Sequence, residues 1–231
     1  MITKKLLIEI NETIVQEWQE MINVLSNVAS VPVALIMRLD MPFIEVFIAS
    51  QGEWNPYHRG EKEEIEGSGL YCETVINSRD KLLVPDALND PEWNNNPDIK
   101  LGMISYLGFP ILLPDGQPFG TICILDNKAN AYSKDVEKLM LIFKKLVESN
   151  LELIVANQAL GDENKRLSDY LEELQVFRGI VPICSNCKSI RMGENEWSPI
   201  EKYLIGHPKA DFSHGLCPKC ARLLYPEIYP Q

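Results

Sequence analysis

Four cysteines near the C-terminus give the clearest chemical signal in the sequence. Cys184 and Cys187 form one Cys-x-x-Cys pair, Cys217 and Cys220 form a second, and twenty-nine residues separate the two pairs. Each pair can form a tight turn that directs two thiolates at one point, and two such turns complete the tetrahedral four-sulfur shell that suits Zn²⁺. The spacing therefore predicts a structural zinc site with these four cysteines as ligands.

Two other chemistries fit the same cysteines. Iron can occupy a four-sulfur shell, and a Cys-x-x-Cys pair close to cations such as Lys188 and Arg222 has the lowered thiol pKa that a disulfide switch requires. Zinc is the preferred interpretation because four cysteines leave no open coordination position for a substrate. A tail of about fifty residues with few large apolar groups also needs a cross-link, such as a bound metal ion, in order to fold.

The remaining cysteines, Cys72 and Cys123, stand apart from the quartet. Cys123 alternates with Ile122 and Ile124 in a predicted strand, and Cys72 lies at the start of an apolar helix. Both are interpreted as small buried apolar residues, and a catalytic role for either is disfavoured.

Composition limits the class of protein. The chain has 231 residues, 45% of them hydrophobic and 24% charged, which is typical of an ordinary globular protein. A formal charge of −11 disfavours a nucleic-acid-binding surface, because neutralising phosphates requires a basic face. No apolar run reaches the roughly 18 residues of a membrane span, and the N-terminus has no signal-peptide cleavage pattern. The sequence predicts a cytoplasmic protein without a membrane segment.

Hydrophobic periodicity predicts an α+β domain ahead of the tail. The clearest element is a hairpin of two apolar, β-branched runs, Ile104 to Leu113 and Pro118 to Leu125, joined at Pro114-Asp115-Gly116. An Asn- and Asp-rich loop over residues 85–97 precedes it, and such loops often carry binding residues. The other predicted elements are a helix over 4–28, paired strands over 33–39 and 43–49, a short helix over 70–77, a strand over 82–84 and a long helix capped by Ser133.

The long helix carries a leucine at every seventh position: 139, 146, 153, 160, 167 and 174. Leucine at position d with asparagine at a, here Asn150, Asn157 and Asn164, favours a parallel two-stranded coiled coil, so residues 136–176 predict a homodimer. Two alternatives stay open: residues 136–148 can pack on their own sheet, and a second phase places Leu at a with Ile142, Ala156, Tyr170 and Phe177 at d.

The chain resembles a GAF domain over roughly residues 5–155. The resemblance rests on GLYCETVI (69–76), LLVPDAL (82–88), NPDIKLGMISYLGFPI (96–111) and PFGTICILD (118–126). The tail, with VPICSNCKSIR and DFSHGLCPKCARLLYPE, is similar to a segment appended to many bacterial and archaeal sensor and response-regulator proteins.

The resemblance implies a central antiparallel sheet with flanking helices, and a ligand pocket covered by the 86–100 loop. By position in the family, the residues implied to bind the ligand are Asp86, Trp93, Asp98, Met103, Ser105 and Tyr106, with Phe109 and Cys123 beneath. Together with the leucine repeat and the cysteine pairs, it predicts three parts: a sensory domain over 1–155 whose exit helix starts near 133, a coiled-coil linker over 150–178 and a four-cysteine zinc tail over 179–231.

Departures from known branches of the family narrow the function. The sequence lacks the Asn-Lys-x-x-Phe run of cyclic-nucleotide-binding members, a Cys-His pair for bilin attachment, and any kinase or cyclase motif. The favoured interpretation is a non-enzymatic sensor that binds a small ligand or a partner and signals through the coiled coil to the tail. The alternatives are a thiol-dependent redox enzyme or switch and an interaction module without a ligand.

Overall fold

A computed structural model describes residues 9–178, 181–193, 196–204 and 212–228. The chain divides into two compact units, Met1–Gln158 and Ala159–Gln231. The first eight residues, where the first helix was predicted to begin, lie outside the described residues. Among the described helices, none is both long and apolar enough to cross a membrane.

A six-stranded antiparallel sheet forms the centre of the first unit. The hairpin is confirmed: its strands pair from Ser105↔Asp126 to Leu112↔Pro118, and Gly116 adopts a left-handed φ of 79° in the turn. The sheet order is β3-β2-β1-β6-β5-β4, which confirms the predicted α+β class. Its strands are β1 (Val33–Asp40), β2 (Phe43–Ala49), β3 (Lys62–Glu64), β4 (Leu82–Val84), β5 (Ser105–Leu112) and β6 (Pro118–Asp126).

Helices α1 (Glu12–Ala29) and α3 (Lys134–Arg178) cover one face of this sheet. Asn11 caps α1 by accepting a hydrogen bond from the Ile14 backbone N–H at 2.9 Å. Apolar residues of both helices pack on alternate strand residues such as Ile36, Ile122 and Ile124 to form the first core cluster. Because strand side chains alternate between faces, the residues between these, such as Leu35 and Cys123, point to the other side.

The second face is covered by less regular structure. Helix α2 (Tyr71–Ser78) and two short 3₁₀ helices, Ala87–Asn89 and Pro97–Leu101, lie over it. Gly102 ends the second 3₁₀ helix with a left-handed φ of 82° and returns the chain to β5. Short helices and loops cannot fill a sheet face as completely as two long helices, and this is the face that contains a cavity.

Helix α3 has a packed part and an exposed part. Met140, Val147 and Leu151 are buried in the first core cluster. Asn150, which the heptad pattern assigned to a dimer seam, instead accepts a hydrogen bond from Trp18 Nε1 of the same chain at 3.0 Å. That assignment is corrected, because the first turns of α3 use this side of the helix to pack on their own domain. The heptad leucines on another side are exposed: Leu146, Leu153, Leu160 and Leu167.

The second unit contains a small four-stranded sheet in the order β10-β7-β8-β9. Its strands are β7 (Val181–Cys184), β8 (Ile190–Arg191), β9 (Trp197–Ser198) and β10 (Phe212–Gly215), and its short helices are α4 (Ile200–Leu204) and α5 (Pro218–Leu224). Among the described residues of the tail, Val181, Ile183, Ile190 and Tyr203 are buried together, with Ile200 packed against them.

Candidate functional site

A cavity of about 280 Å³ lies on the second face of the large sheet. Its floor is apolar and comes from β1, β2 and β6, whose inward residues include Leu35, Val46 and Leu125. Its rim is polar and comes from the segment around Tyr57, from β3 and from the second 3₁₀ helix. The polar lining residues are Tyr57, Glu61, Glu63, Cys72, Asp98, Lys100, Tyr106 and Cys123.

Asp98 is the buried charge of this cavity. Its side chain accepts a hydrogen bond from Tyr57 Oη at 2.7 Å, and the residue is only 8% exposed. Asn96 holds it in place: Asn96 Oδ1 accepts from the Asp98 N–H at 2.9 Å, while its Nδ2 donates to the Gly69 carbonyl before α2. Burial raises the pKa of Asp98 to about 6, although the hydrogen bond from Tyr57 opposes the rise.

The charge of Asp98 stands apart from the described basic residues. In the described part of the chain, no lysine, arginine or histidine lies within ion-pair distance of it. Glu61 and Glu63 line the same cavity, so three acids face a single lysine, Lys100. The cavity is therefore acidic at its rim and apolar at its floor.

Three aromatic rings stack beside the cavity. Tyr71 of α2 stacks on Tyr106 of β5 with ring centres 4.7 Å apart, and Trp93 packs on Tyr71 at 5.2 Å. Gly108 makes this arrangement possible, because a Cβ there would lie 2.0 Å from Tyr106 Oη. The Tyr106 side chain can therefore lie over Gly108 of its own strand, with its hydroxyl near Cys72 of α2.

The Tyr106 hydroxyl reaches Cys72, which brings the two isolated cysteines into the site. Tyr106 Oη lies 3.6 Å from Cys72 Sγ, and Thr121 Oγ1 donates to the same sulfur at 3.3 Å. Cys123 lies near enough to Cys72 for each thiol to shift the pKa of the other, and both side chains line the same cavity. Both are buried, as predicted from sequence, yet both also line the cavity.

Of the six residues implied to bind a ligand, Asp98 and Tyr106 line the cavity. Trp93 and Met103 are buried in the second core cluster, where Trp93 supports Tyr71. Asp86 caps the first 3₁₀ helix by accepting from the Leu88 N–H. Ser105 donates to the Lys128 carbonyl and lies 3.1 Å from Tyr132 Oη, at the connection to α3. The structure therefore does not bring Asp86 and Ser105 into the cavity with Asp98.

Sequence reasoning missed Tyr57, Glu61 and Glu63, because residues 51–67 read as a polar surface excursion. A usable signal was present: Leu35, Met37, Ile44 and Val46 form a second apolar face on the first strand pair, and such a face needs a cover. Tyr57, in the segment that follows this strand pair, is the tyrosine that could have been predicted to cover the face.

The four tail cysteines converge on one point. Their sulfur atoms all lie within 4.8 Å of one another, and Cys187 Sγ is 3.8 Å from Cys217 Sγ. Burial raises the pKa of the Cys184 thiol, but backbone N–H groups from both cysteine turns outweigh burial and lower it to about 6. Asn186 Nδ2 donates to Cys220 Sγ at 3.2 Å. The predicted quartet is thus confirmed as a cluster able to hold a metal ion.

The donor set fits a soft or borderline tetrahedral metal. With metal–sulfur bonds of about 2.3 Å, the sulfurs of a tetrahedron lie about 3.8 Å apart, which is the Cys187–Cys217 separation. The N–H groups directed at sulfur stabilise thiolates, the form that binds metal. Three of the four cysteines are buried, so the cluster has the closed character of a structural site.

Comparison with known proteins identifies the first unit. A protein-family model described as "GAF domain" matches residues 7–150. A methyl-accepting chemotaxis protein is similar in structure, with a TM-score of 0.52 at 15% identity, covering 63% of this chain and 93% of that one. This likeness concerns the fold alone.

Two further solved structures have a TM-score of 0.48. A type II free methionine-R-sulfoxide reductase from Thermoplasma acidophilum is 16% identical and covers 63% of this chain and 94% of its own. A domain of a putative two-component sensor histidine kinase protein from Sinorhizobium meliloti 1021 is 12% identical and covers 64% and 98%. A comparison with curated proteins gave no match.

The buried charge of Asp98 makes stability depend on pH. The unfolded chain releases this proton near 3.8 and the folded chain near 6, so stability falls as pH rises between these values and is then constant. Asp98→Asn should therefore become more stable relative to wild type by about 2 kcal/mol between pH 4 and pH 7. Urea denaturation at both pH values measures the difference, with the exposed Asp135→Asn as control. Equal pH dependence of wild type and Asp98→Asn would contradict the expectation.

Proposed function

This chain belongs to the GAF domain family, and we propose that it is a non-enzymatic sensory protein whose first domain binds a small ligand in the cavity beside Asp98. The observation that carries the proposal is a buried, unpaired carboxylate at the edge of an apolar cavity of about 280 Å³. A domain serving only as a docking surface has no need of such a charge, because burying it costs stability.

The ligand that fits is a small organic cation with an apolar body. Three acids line the cavity against one lysine, and the floor offers only apolar side chains and the two thiols. A ligand ammonium group beside Asp98 would supply the missing counter-charge, and the Tyr57 hydroxyl would hold the carboxylate oxygen in position. The carbon skeleton would then displace water from Leu35, Val46 and Leu125.

The domain contains a direct connection from this cavity to helix α3. Strand β6 carries Cys123 and Leu125 at the cavity floor and ends at Asp126. The following segment is fixed to β5 by the Ser105–Tyr132 contact and to the end of β4 by the hydrogen bond from the Asn130 N–H to the Pro85 carbonyl. Ser133 then caps α3 through the Val136 N–H. A ligand that shifts β5 against β6 would move the start of the helix.

We infer that α3 passes this movement on as one strand of a parallel two-stranded coiled coil. The exposed leucines Leu146, Leu153, Leu160 and Leu167 support this, because a row of large apolar side chains in water is typical of an unpaired seam. The heptad spacing makes a second copy of the same helix the matching partner. Asn157 and Asn164 remain available for the seam, whereas Asn150 is bonded to Trp18.

In this proposal residues 1–155 form the domain that senses the ligand, and residues 150–178 form the coiled coil that connects it to the tail. Residues 179–231 form the tail, which folds around structural Zn²⁺. Cys184, Cys187, Cys217 and Cys220 would hold the ion, and their thiolates would leave it no open position for catalysis. Trp197 packs against the cysteine cluster, and Tyr203 belongs to the small tail core. Zinc would supply the cross-link that so small a core lacks.

A thiol-dependent reductase is the second candidate function, because Cys72 and Cys123 lie in the same cavity. The double variant Cys72→Ser/Cys123→Ser separates the two functions. Catalytic turnover of a peroxide or a sulfoxide by wild type that disappears in the variant would establish the reductase. Retained ligand binding in the variant, with no turnover in either protein, would establish the sensor.

Butylamine, butanol and butyrate test the ligand class, because they share one carbon chain and differ in charge. Butylamine should raise the midpoint of thermal unfolding of the full chain at pH 8, and the increase should shrink below pH 6 as Asp98 becomes protonated. Asp98→Asn should weaken butylamine binding by roughly tenfold or more, while Asp135→Asn should not. Stronger stabilisation by butyrate than by butylamine would refute the proposed ligand class.

The coiled coil is tested with two lysine substitutions in α3. Leu160→Lys should weaken dimerisation by roughly a hundredfold or more, since each of two strands loses a buried leucine. Asp162→Lys places the same residue outside both possible seams and should leave dimerisation intact. Sedimentation equilibrium over a concentration series measures both. A wild-type monomer at micromolar concentration with metal bound would end the dimer proposal.

Native mass spectrometry of protein purified without added metal tests the tail. We expect one zinc ion per chain in wild type and in Cys72→Ser, and loss of the ion in Cys184→Ser, because only the latter removes a ligand. Removal of zinc with a chelator should unfold the tail and expose Trp197, which fluorescence can follow. A mass increase that matches iron would show that the tail binds iron instead of zinc. A mass lower by four hydrogens would show that the four cysteines form two disulfides.

A further inference from the structure

We propose that Cys72 and Cys123 are a redox-reactive pair: a hydroperoxide that enters the cavity oxidises Cys72, and Cys123 then forms a disulfide with it. These residues are 51 positions apart in the sequence, and the fold places one on α2 and the other on β6, where both line one cavity. Thr121, two residues before Cys123 on β6, donates a hydrogen bond to Cys72 Sγ at 3.3 Å. The inference does not depend on the ligand proposed above, because it concerns only the two thiols and a small oxidant.

The surroundings make the two thiols unequal. Cys72 Sγ accepts a hydrogen bond from Thr121 Oγ1 at 3.3 Å, and Tyr106 Oη lies 3.6 Å from the same sulfur. The neighbouring Cys123 thiol, together with these two hydroxyls, outweighs burial and lowers the pKa of Cys72. The neighbouring Cys72 thiol and complete burial raise the pKa of Cys123. Cys72 is therefore the more acidic thiol and the one that attacks, and Cys123 is its partner.

The cavity supplies access for a small oxidant. Cys72 and Cys123 both line it although they are buried from bulk solvent, and a hydroperoxide is small relative to about 280 Å³. Larger reagents would have to pass the rim formed by Tyr57 and Asp98. The site therefore favours small oxidants over protein disulfides, which cannot present a sulfur to a buried thiolate.

The chemistry proceeds in two balanced steps. The Cys72 thiolate attacks one peroxide oxygen, the O–O bond breaks, and the leaving oxygen takes up a proton to depart as water or an alcohol, which leaves a sulfenic acid. The Cys123 sulfur then attacks the Cys72 sulfur, the S–O bond breaks, and the hydroxide departs as water with the proton of Cys123. Two thiols and one hydroperoxide thus give one disulfide, with both peroxide oxygens reduced.

Trypsin makes the test specific, since it separates the two cysteines from each other and from the tail. Cys72 falls in the peptide 63–79 and Cys123 in 101–128, each of which contains a single cysteine. Zinc-loaded full-length protein is treated with hydrogen peroxide, blocked with N-ethylmaleimide and digested. The expected product is the two peptides joined with the loss of two hydrogens, and dithiothreitol should separate them again.

Three variants assign the roles. Cys123→Ala should accumulate a sulfenic acid at Cys72 that dimedone traps, whereas Cys72→Ala should leave Cys123 reduced. Thr121→Val should slow disulfide formation by roughly tenfold, because it removes a hydrogen bond to the thiolate. Far-UV circular dichroism confirms that each variant is folded. Wild-type peptides that remain fully blocked by N-ethylmaleimide after excess peroxide, or oxidation of Cys123 in Cys72→Ala, would overturn the proposal.

Discussion

The alternation of side chains along β1 and β6 is the constraint on which this domain depends. Ala34, Ile36, Ile122 and Ile124 face the two long helices, while the residues between them face the cavity. A shift of register by one residue would exchange these sets, placing Cys123 against the helices and an isoleucine in the cavity. The helix-packed face must therefore be filled tightly for the opposite face to keep the Cys123 thiol and the apolar floor in the cavity.

The two faces also differ in how completely they are filled. Long helices on one face bury large apolar areas and fix the sheet, whereas α2 and the two 3₁₀ helices leave the other face incompletely filled. The incompletely filled face holds the Asp98 carboxylate, whose burial raises its pKa, and two thiols that line the same cavity. Burying this charge costs stability, and the packed face compensates for it.

The features that could be predicted from sequence are those set by residues close together in the chain. The hairpin, the strand pair, α2 and the four-cysteine cluster were predictable because neighbouring residues set them: alternation, turn residues and Cys-x-x-Cys spacing. The partnership of Cys72 with Cys123 and that of Tyr57 with Asp98 were not, since each joins segments about forty or fifty residues apart. The assignment of Asn150 to a seam failed for the same reason, because its partner Trp18 lies 132 residues earlier.

The hydrogen bond between Trp18 and Asn150 also fixes the rotation of α3 about its own axis as the helix leaves the sheet. From that point each added residue turns the helix by about 100°, so an insertion of one residue after Leu151 would point every later leucine in a new direction. An insertion of seven residues would change the direction by only about 20°. Insertions or deletions of whole heptads between the GAF domain and the tail would therefore keep the later leucines facing nearly the same way, whereas a change of one residue would turn them.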